Sequence, residues 1–262
     1  MSKDKEMVYG KQHFMKCFQT VANDRHYYTA WSEIIEMFAM SIINPLTKAI
    51  YENDEKLKAI WQNRENRYLK IINGYKKEKQ ELFPQMFACI VNEFEKNPEQ
   101  DLLGQIYMEL GISSNVAGQF FTPYSVCQAM AEITVDKKAL TKTIKEKGYA
   151  TFNDCACGGG ATLIAGINAA AKMFKRLNWQ NHLFVVANDI DRICAFMCYI
   201  QLSLLGVAGY VTIDNALIEP NVTDPNRILY TPMYFSSVWN GRRLWHSVDR
   251  QIERAERAQT GS

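Results

Sequence analysis

Apolar residues recur at steps of three and four along the first 111 residues of the chain, which is the period of an amphipathic helix. Two stretches, 31–42 and 83–94, show this spacing most clearly. Helix breakers interrupt the pattern at Asn44-Pro45, Asn73-Gly74 and Asn97-Pro98. Residues 11–111 are therefore predicted to form several helices of ordinary length. The charged stretch 52–79 favours a solvated helix face, with a surface facing nucleic acid as the alternative.

The pattern changes after residue 118, where short β-branched runs alternate with helical stretches. The predicted strands cover 151–153, 183–187, 210–213 and 228–230, and the predicted helices cover 162–176 and 192–205. This alternation is typical of βαβ units that form a parallel sheet. The sequence thus predicts a helical domain over 1–111 and an α/β domain over 112–262, whose C-terminal tail has helical spacing.

Composition narrows the class of protein. The chain has 262 residues, of which 47% are hydrophobic and 22% charged, and these values exclude a disordered or fibrous protein. The 30 basic residues nearly balance the 28 acidic ones, which excludes a polycationic nucleic-acid binder but allows a local basic face. No apolar run approaches the roughly 20 residues of a membrane span, and the N-terminus lacks the apolar segment of a secretory signal. The seven scattered cysteines indicate reduced thiols and a cytoplasmic protein.

A glycine cluster and three acidic residues follow three successive predicted strands. The cluster Asp154-Cys155-Ala156-Cys157-Gly158-Gly159-Gly160 lies between a strand and a helix, where a ligand can approach bare backbone. Asp189 follows the next strand and can accept hydrogen bonds from both hydroxyls of a ribose. Asp214 follows the third strand and can receive an adenine amino group. Together the acids suggest a nucleoside site, although each carboxylate is also a common helix or turn cap.

The spacing of these residues limits which nucleoside fits. A dinucleotide site has G-x-G-x-x-G followed by an acid about 20 residues later, and here one acid precedes the glycines. The chain also lacks the Gly-Lys-Ser/Thr of a phosphate-binding loop. A ligand without phosphates, whose ammonium group Asp154 binds, fits better. S-adenosylmethionine has these properties.

Five segments in the expected order resemble the N6-adenine DNA methyltransferase family, in particular the modification subunit of type I restriction-modification systems. Residues 101–107 resemble its lead-in helix. Gly118-Gln119-Phe120-Phe121-Thr122-Pro123 matches its G-x-F-F-T-P signature. Residues 154–160 resemble D-P-A-C-G-S-G, with Cys155 and Gly159 as departures, while 188–191 and 214–217 are similar to its ribose-binding and adenine-binding segments. The resemblance implies a Rossmann-like, S-adenosylmethionine-dependent methyltransferase domain and DNA as the substrate.

The resemblance also implies roles for individual residues. Phe121, Thr122 and Pro123 would surround the methionine end of the cofactor, with the Thr122 hydroxyl near its carboxylate. Asp154 would bind the ammonium, Asp189 the ribose and Asp214 the adenine. The remaining cofactor contacts are expected at Ala156, Gly158, Gly160, Ile190 and Asn215.

The catalytic tetrapeptide departs from the family pattern. Members carry N-P-P-F/Y, whose Asn and first Pro accept hydrogen bonds from the adenine amino group while the ring stacks on the base. Here Thr231-Pro232-Met233-Tyr234 follows the predicted strand 228–230. Thr231, Pro232 and Tyr234 are thus the candidate catalytic residues. A threonine hydroxyl orients the amino group less firmly than an amide, and loss of one acceptor commonly costs roughly 10²–10³ in rate.

The segment after Tyr234 is short for the family. Its 28 residues leave no room for three further strands and a target-recognition region, so a shortened parallel sheet is expected. A partner chain would complete the sheet or supply target recognition, or a helix with Trp239 and Trp245 would cover its edge.

Three functions remain open at the sequence level. The favoured one is an adenine-N6 DNA methyltransferase that transfers the methyl group directly, without a covalent protein intermediate. The alternatives are an impaired S-adenosylmethionine-binding or scaffold subunit that partners an intact methyltransferase, and methylation of a protein or small molecule. No metal is expected, because the spacing of Cys155, Cys157, Cys194 and Cys198 matches zinc ribbons poorly.

Overall fold

The computed structural model describes residues 9–112, 121–174, 177–219 and 222–245. The first three residues of the predicted G-x-F-F-T-P segment, Gly118 to Phe120, lie outside the described residues. So does the part of the predicted C-terminal helix that follows residue 245. None of the helices in the described ranges is long and apolar enough to cross a lipid bilayer.

Six helices precede the first gap. They are α1 (Lys11–Val21), α2 (Tyr27–Tyr51), α3 (Glu55–Asn73), α4 (Lys77–Gln80), α5 (Leu82–Lys96) and α6 (Leu102–Glu109). Two of them begin at aspartates whose side chains accept from backbone amides of the first turn, Asp54 for α3 and Asp101 for α6. The ends predicted near Asn73 and Asn97 are confirmed.

The break predicted at Asn44-Pro45 is wrong, because α2 continues through Pro45 to Tyr51. Proline removes one backbone hydrogen bond from a helix interior and crowds the preceding turn. Here α2 packs along both α3 and α10, and the Asn44 carbonyl accepts a hydrogen bond from the Trp61 indole at 3.1 Å. Tertiary packing on both sides outweighs the local cost of the proline.

The second half alternates helices with strands, as the sequence predicts. Its elements are α7 (Tyr124–Thr134), α8 (Lys137–Lys147), β1 (Ala150–Asp154), α9 (Ala161–Met173), β2 (Leu183–Asp189), α10 (Arg192–Leu204), β3 (Ala208–Ile213) and β4 (Ile228–Tyr230). A further helix covers residues 237–245. All four predicted strands are present, and the α/β fold class is confirmed.

The sheet has the order β1-β2-β3-β4, and its first three strands are parallel. Helices α9 and α10 pack on it, and in β2 every second residue, from Leu183 to Asp189, is buried. Asp154 is level with Ala187 on β2, and Asp189 is level with Ile213 on β3. The register therefore brings the carboxyl ends of all three strands together. Below, 'this edge' of the sheet is the one that these carboxyl ends form.

The fourth strand runs the other way, so the predicted all-parallel sheet is wrong in this part. Tyr230 pairs with Tyr210 near the start of β3, and Ile228 pairs with Thr212 near its end. A parallel return requires a crossover of a dozen or more residues, usually a helix. The described part of the connection between β3 and β4 contains only short turns, so the chain folds back beside β3.

One hydrophobic core joins the two halves of the chain. The same buried cluster contains Trp31 and Ile34 of α2, Tyr199 of α10 and Val185 of β2. The division at residue 112 stays a prediction, and the core is continuous across it.

Candidate functional site

A glycine turn joins β1 to α9 and needs glycine at two positions. Gly158 and Gly160 have φ of +53° and +96°, a region that residues with a Cβ rarely adopt. A Cβ on Gly160 would also lie 2.9 Å from the Cys198 sulfur on α10. The Cys157 amide donates to the Asn188 carbonyl at 2.9 Å, which fixes the turn to the end of β2.

Asp189, at the end of β2, accepts a hydrogen bond on each of its carboxylate oxygens. One oxygen accepts from the Gly158 amide at 2.7 Å and the other from the Asp191 amide at 2.8 Å. Only 9% of the residue is exposed. Burial raises the pKa of Asp189, while the two amides lower it to a smaller extent. Each oxygen keeps a second lone pair for a further donor.

Asp154 lies at the end of β1 and is committed to its own turn. One oxygen accepts from the Ala156 amide at 3.1 Å, and the other accepts from the Thr162 hydroxyl on α9. Asp154 is partly exposed. Its carboxylate fastens the start of α9 to the end of β1.

Asp214, after β3, is held by neighbours on both oxygens. One oxygen accepts from the Asn215 amide at 2.6 Å, and the other is paired with the Arg227 guanidinium. Arg227 also pairs with Glu219 at 2.7 Å. The Asp214 amide donates to the Asp189 carbonyl at 3.1 Å, so these two acids lie side by side.

Apolar side chains stand in solvent beside these acids. Ile190 follows Asp189 directly and is 70% exposed. Leu217 and Ile218 follow Asn215 and are 95% and 80% exposed. Exposed aliphatic side chains next to buried carboxylates are suited to the flat faces of a base.

Phe121, Thr122 and Pro123 approach the glycine turn from the other side. A Cβ on Gly158 would lie 3.4 Å from the Phe121 ring, which also packs edge-on against Tyr107 with centroids 5.2 Å apart. All three residues line a cavity of about 710 Å³ that also touches Asp101 at the start of α6. This volume lies within the range of small-molecule sites.

The charge at this edge suits a cationic ligand without phosphates. Asp101, Asp154, Asp189 and Asp214 surround the glycine turn or the strand ends beside it, and Arg227 is the cation bound to one of them. Such a carboxylate-rich edge repels a phosphate group. A nucleoside that carries an ammonium and a sulfonium matches it, and the bare backbone at Gly158 and Gly160 leaves room for such a ligand.

The predicted catalytic tetrapeptide lies at the other end of the strands, away from the acids. Because β4 is antiparallel, Thr231 is level with Gly209 at the start of β3, whereas Asp214 follows its end. Five residues of a strand separate these positions by about 16 Å. The structure therefore does not bring Thr231, Pro232 and Tyr234 to the acids, contrary to the geometry expected from a parallel fourth strand.

Thr231 and Tyr234 have structural partners where they lie. Thr231 is fully buried, and its hydroxyl accepts from the Gly209 amide and donates to the Gly209 carbonyl, both at 3.1 Å. Pro232 opens a short 3₁₀ turn. The Tyr234 ring stacks near Tyr230, with centroids 4.5 Å apart, and the Arg243 guanidinium lies 3.7 Å from its centroid.

Three contributors to this edge escape the sequence reasoning. Asp101 belongs to a motif that carried no assigned role, and Gln201 is a lone amide in the apolar helix α10. That amide donates to the Gly159 carbonyl at 2.7 Å. Arg227 leaves no sequence signal, because its pairing with Asp214 depends on the reversal of β4.

No group of metal ligands is present among the residues that the structure describes. All seven cysteines fall in the described ranges and none is bridged. Cys157 and Cys194 are buried. A hydrogen bond with Cys198 and burial raise the pKa of the Cys157 thiol, and burial raises the pKa of the Cys194 thiol.

Comparison with known proteins gives a matching family and a distantly similar structure. A family model described as N-6 DNA Methylase matches residues 98–259, which is more than half of the chain. The crystal structure of the type I restriction-modification system methyltransferase subunit from Streptococcus thermophilus is similar at 13% identity, with a TM-score of 0.42. The alignment covers 82% of this chain and 61% of that one, so this chain spans about three fifths of that subunit. Curated protein sequences give no match.

Proposed function

The chain belongs to the N-6 DNA methylase family, and from this premise we propose that it binds S-adenosylmethionine and methylates N6 of adenine in DNA. The observation that carries the proposal is the meeting of the glycine turn with Asp189 and Asp214 at one edge of the sheet. Ligands of open α/β sheets bind at the carboxyl ends of the strands. The acidic character of this edge favours a nucleoside that has no phosphate.

Each residue of the site contacts a different part of the ligand. Asp189 accepts the ribose hydroxyls through the lone pairs that its two amide bonds leave free. Asp214 receives the adenine amino group, and Ile190 covers one face of the adenine. Gly158 lets the ligand lie against the backbone beside the Phe121 ring. S-adenosylmethionine, when bound, supplies an electrophilic methyl group on a sulfonium sulfur.

Methyl transfer to DNA also needs groups that orient the target adenine. An adenine in duplex DNA must leave the base stack to reach a buried reacting group. Its amino group also needs hydrogen-bond acceptors near the methyl group, and Thr231 lies about 16 Å from the site by strand geometry. We therefore propose that other groups, from this chain or from a partner, orient the adenine.

A partner chain has a place to bind at β1. Among the described residues β1 pairs on one side only, with β2, and Thr151 and Asn153 on it are exposed. An unpaired strand edge accepts a strand from another chain. The unpaired side of β1 adjoins Asp154 and the glycine turn, so one end of an added strand would lie next to the site.

The position of Thr231 favours a second candidate function. A subunit that binds S-adenosylmethionine without transferring its methyl group would keep the acidic edge and use its tetrapeptide for structure only. Restoring the family residues by Thr231→Asn with Met233→Pro is then expected to give no gain in methyl transfer. A gain would support the enzyme reading and a tetrapeptide that reaches the base.

Calorimetric titration of S-adenosylmethionine into the chain tests the proposal. We expect binding, and about 10²-fold weaker binding for Asp189→Ala, because two charge-assisted hydrogen bonds are lost. Asp136→Ala is the matched control, since Asp136 caps α8 on the exposed surface. Thermal unfolding of each variant checks that it folds.

Methyl transfer is measured in the same preparations. Labelled S-adenosylmethionine is incubated with mixed-sequence duplex DNA, and N6-methyladenine is quantified by mass spectrometry. Binding with transfer supports the enzyme, and binding without transfer supports the second candidate. Absence of binding to the folded chain would contradict both.

A further inference from the structure

Asp101 is a buried carboxylate that keeps one oxygen for a ligand. It is 3% exposed and begins α6. Its Oδ1 accepts from the Gly104 amide at 3.0 Å and from the Gln201 side-chain amide at 2.8 Å. In the described part of the chain no donor bonds Oδ2, although Asp101 lines the 710 Å³ cavity. A carboxylate in a residue this deeply buried is costly to ionise unless a donor binds its second oxygen.

The side chain of Gln201 holds Asp101 against the glycine turn. Gln201 is fully buried, and its amide nitrogen bonds both Asp101 and the Gly159 carbonyl. Its oxygen accepts from the Leu103 amide at 3.0 Å. A Cβ on Gly159 would lie 3.5 Å from Asp101 Oδ1 and 3.8 Å from Oδ2. The carboxylate thus lies within van der Waals reach of the turn that the proposed function places under the ligand.

The helix itself is shaped around this carboxylate. A Cβ on Gly104 would lie 2.7 Å from Asp101 Cγ, so a larger residue at this position would displace the side chain. Glycine inside a helix is unfavourable by roughly 1 kcal/mol relative to alanine. The space at Gly104 is accounted for by the position of the Asp101 carboxylate.

The cavity offers opposite charges at two places. Asp101 lies in its wall, and Lys11, paired with Glu109, lines it as well. Thr122, which is exposed, adds a hydroxyl. Glu109 lines the cavity too, so a ligand carboxylate competes with it for Lys11. An α-amino acid group fits this lining, with its ammonium for the buried carboxylate and its carboxylate for the Thr122 hydroxyl.

Asp154, which the sequence favours for the ammonium, is less suited to it. Each of its oxygens accepts one donor, the Ala156 amide or the Thr162 hydroxyl, whereas Oδ2 of Asp101 accepts none among the described residues. Asp154 is also absent from the lining of the cavity that Phe121 and Thr122 share with Asp101. The two carboxylates therefore have different roles. Asp154 stabilises the glycine turn, and Asp101 faces the cavity.

We propose that Asp101 binds the ammonium of the amino acid end of the ligand, in the cavity between α6 and residues 121–125. The proposal rests on the proposed function, which supplies a ligand with such an end. It makes Asp101 a binding residue that distinguishes ligands with an amino acid end from those without one. Gln201 is a positioning residue that acts through Asp101.

Two ligands that differ only at the amino acid end test the proposal. S-adenosylmethionine carries this end, and 5′-methylthioadenosine lacks it. Both are titrated into the wild type, Asp101→Asn and Asp136→Asn. Asparagine caps helices as well as aspartate does, and Asp136 caps α8 through the Ala139 amide at 2.7 Å. The control thus repeats the chemical change at an exposed cap that does not line this cavity.

We expect Asp101→Asn to weaken S-adenosylmethionine binding about 10- to 100-fold, because one charge-assisted hydrogen bond is lost. Binding of 5′-methylthioadenosine should stay within about twofold of the wild type, and Asp136→Asn should change neither affinity.

Two outcomes overturn this proposal alone, namely equal loss of both ligands in a folded Asp101→Asn variant, or no loss of either. A wild-type chain that binds neither ligand would overturn the proposed function and this inference together.

Discussion

At the scale of single residues, the site depends on carboxylates that the fold has taken out of water. Burial raises the pKa of Asp101 and of Asp189, and in both cases it is the largest cause. Hydrogen bonds from backbone amides and from Gln201 lower the pKa of these groups in part. Each carboxylate therefore costs folding free energy when it is ionised, and a bound cationic ligand would recover part of that cost.

Asp101→Asn is expected to stabilise the ligand-free protein at pH 8. The raised pKa means that the folded state takes up a proton more readily than the unfolded chain, so stability falls as pH rises above about 4 toward the folded pKa. Asparagine carries no charge, so we expect a Tm increase of about 2–4 °C, which corresponds to about 1 kcal/mol in a chain of this size.

The gain in Tm for Asp101→Asn should shrink as the pH is lowered toward the unfolded pKa of about 4, since the folded wild type then gains stability by binding a proton at Asp101. Asp136→Asn, at an exposed cap, should show no such trend. Calorimetric melts at several pH values provide the measurement. If the Tm of Asp101→Asn is lower than that of the wild type by the same amount at every pH, the prediction that an ionised, buried Asp101 destabilises the folded protein is wrong.

At the scale of elements, the short strand β4 is held beside β3 by a threonine. The Thr231 hydroxyl pairs with both backbone groups of Gly209, which closes the ladder where the sheet ends. Close packing fixes Gly209 too, since a Cβ there would lie 2.1 Å from the Val185 carbonyl oxygen. These two hydrogen bonds give the threonine at position 231 a structural explanation.

Thr231→Val tests that explanation. Valine fills the same space but leaves the buried Gly209 amide without an acceptor, which costs about 1–3 kcal/mol. We expect Tm to fall by about 3–10 °C, while the affinity for S-adenosylmethionine stays within about twofold. Thr143→Val, at a partly exposed helix position, is the matched control. Unchanged stability with a lost affinity would place Thr231 at the ligand instead.

At the scale of the whole molecule, the helical half and the sheet half are joined through buried polar contacts as well as through the core. Glu36 of α2 is bonded by Arg67 of α3 at 2.7 Å and by Arg192 of α10 at 3.1 Å. Arg64 of α3 donates to the Pro225 carbonyl at 3.0 Å, in the connection that leads to β4. The helices thereby hold the start of α10 and the returning chain, which flank the acids of the site.

Glu36→Gln is expected to lower the stability of the whole chain in one transition. The change leaves two guanidinium groups without their carboxylate, and because both are partly exposed the cost is about 1–3 kcal/mol. Tm should fall by about 3–10 °C. Glu95→Gln, on the exposed face of α5, should change stability by no more than about 0.5 kcal/mol. Two separate transitions in the melt of Glu36→Gln would show that the halves unfold independently.

The sequence by itself determined the local elements and the order of the site segments. All four strands and the helices α9 and α10 follow from short β-branched runs that alternate with helical spacing. The glycine turn with its following acids also predicts a nucleoside site, because turn chemistry and strand ends are encoded locally. These features need only neighbours in the chain, so they can be predicted from it.

Only the tertiary structure decided the direction of β4, the continuation of α2 through Pro45 and the partners of each carboxylate. The direction of a short edge strand depends on how the chain returns, which brings Arg227 to Asp214 and sends Thr231 to the far edge. The contacts of Asp101 with Gln201 and the glycine turn join residues about one hundred positions apart. Local patterns carry no information on such pairings, because packing of the whole core sets them.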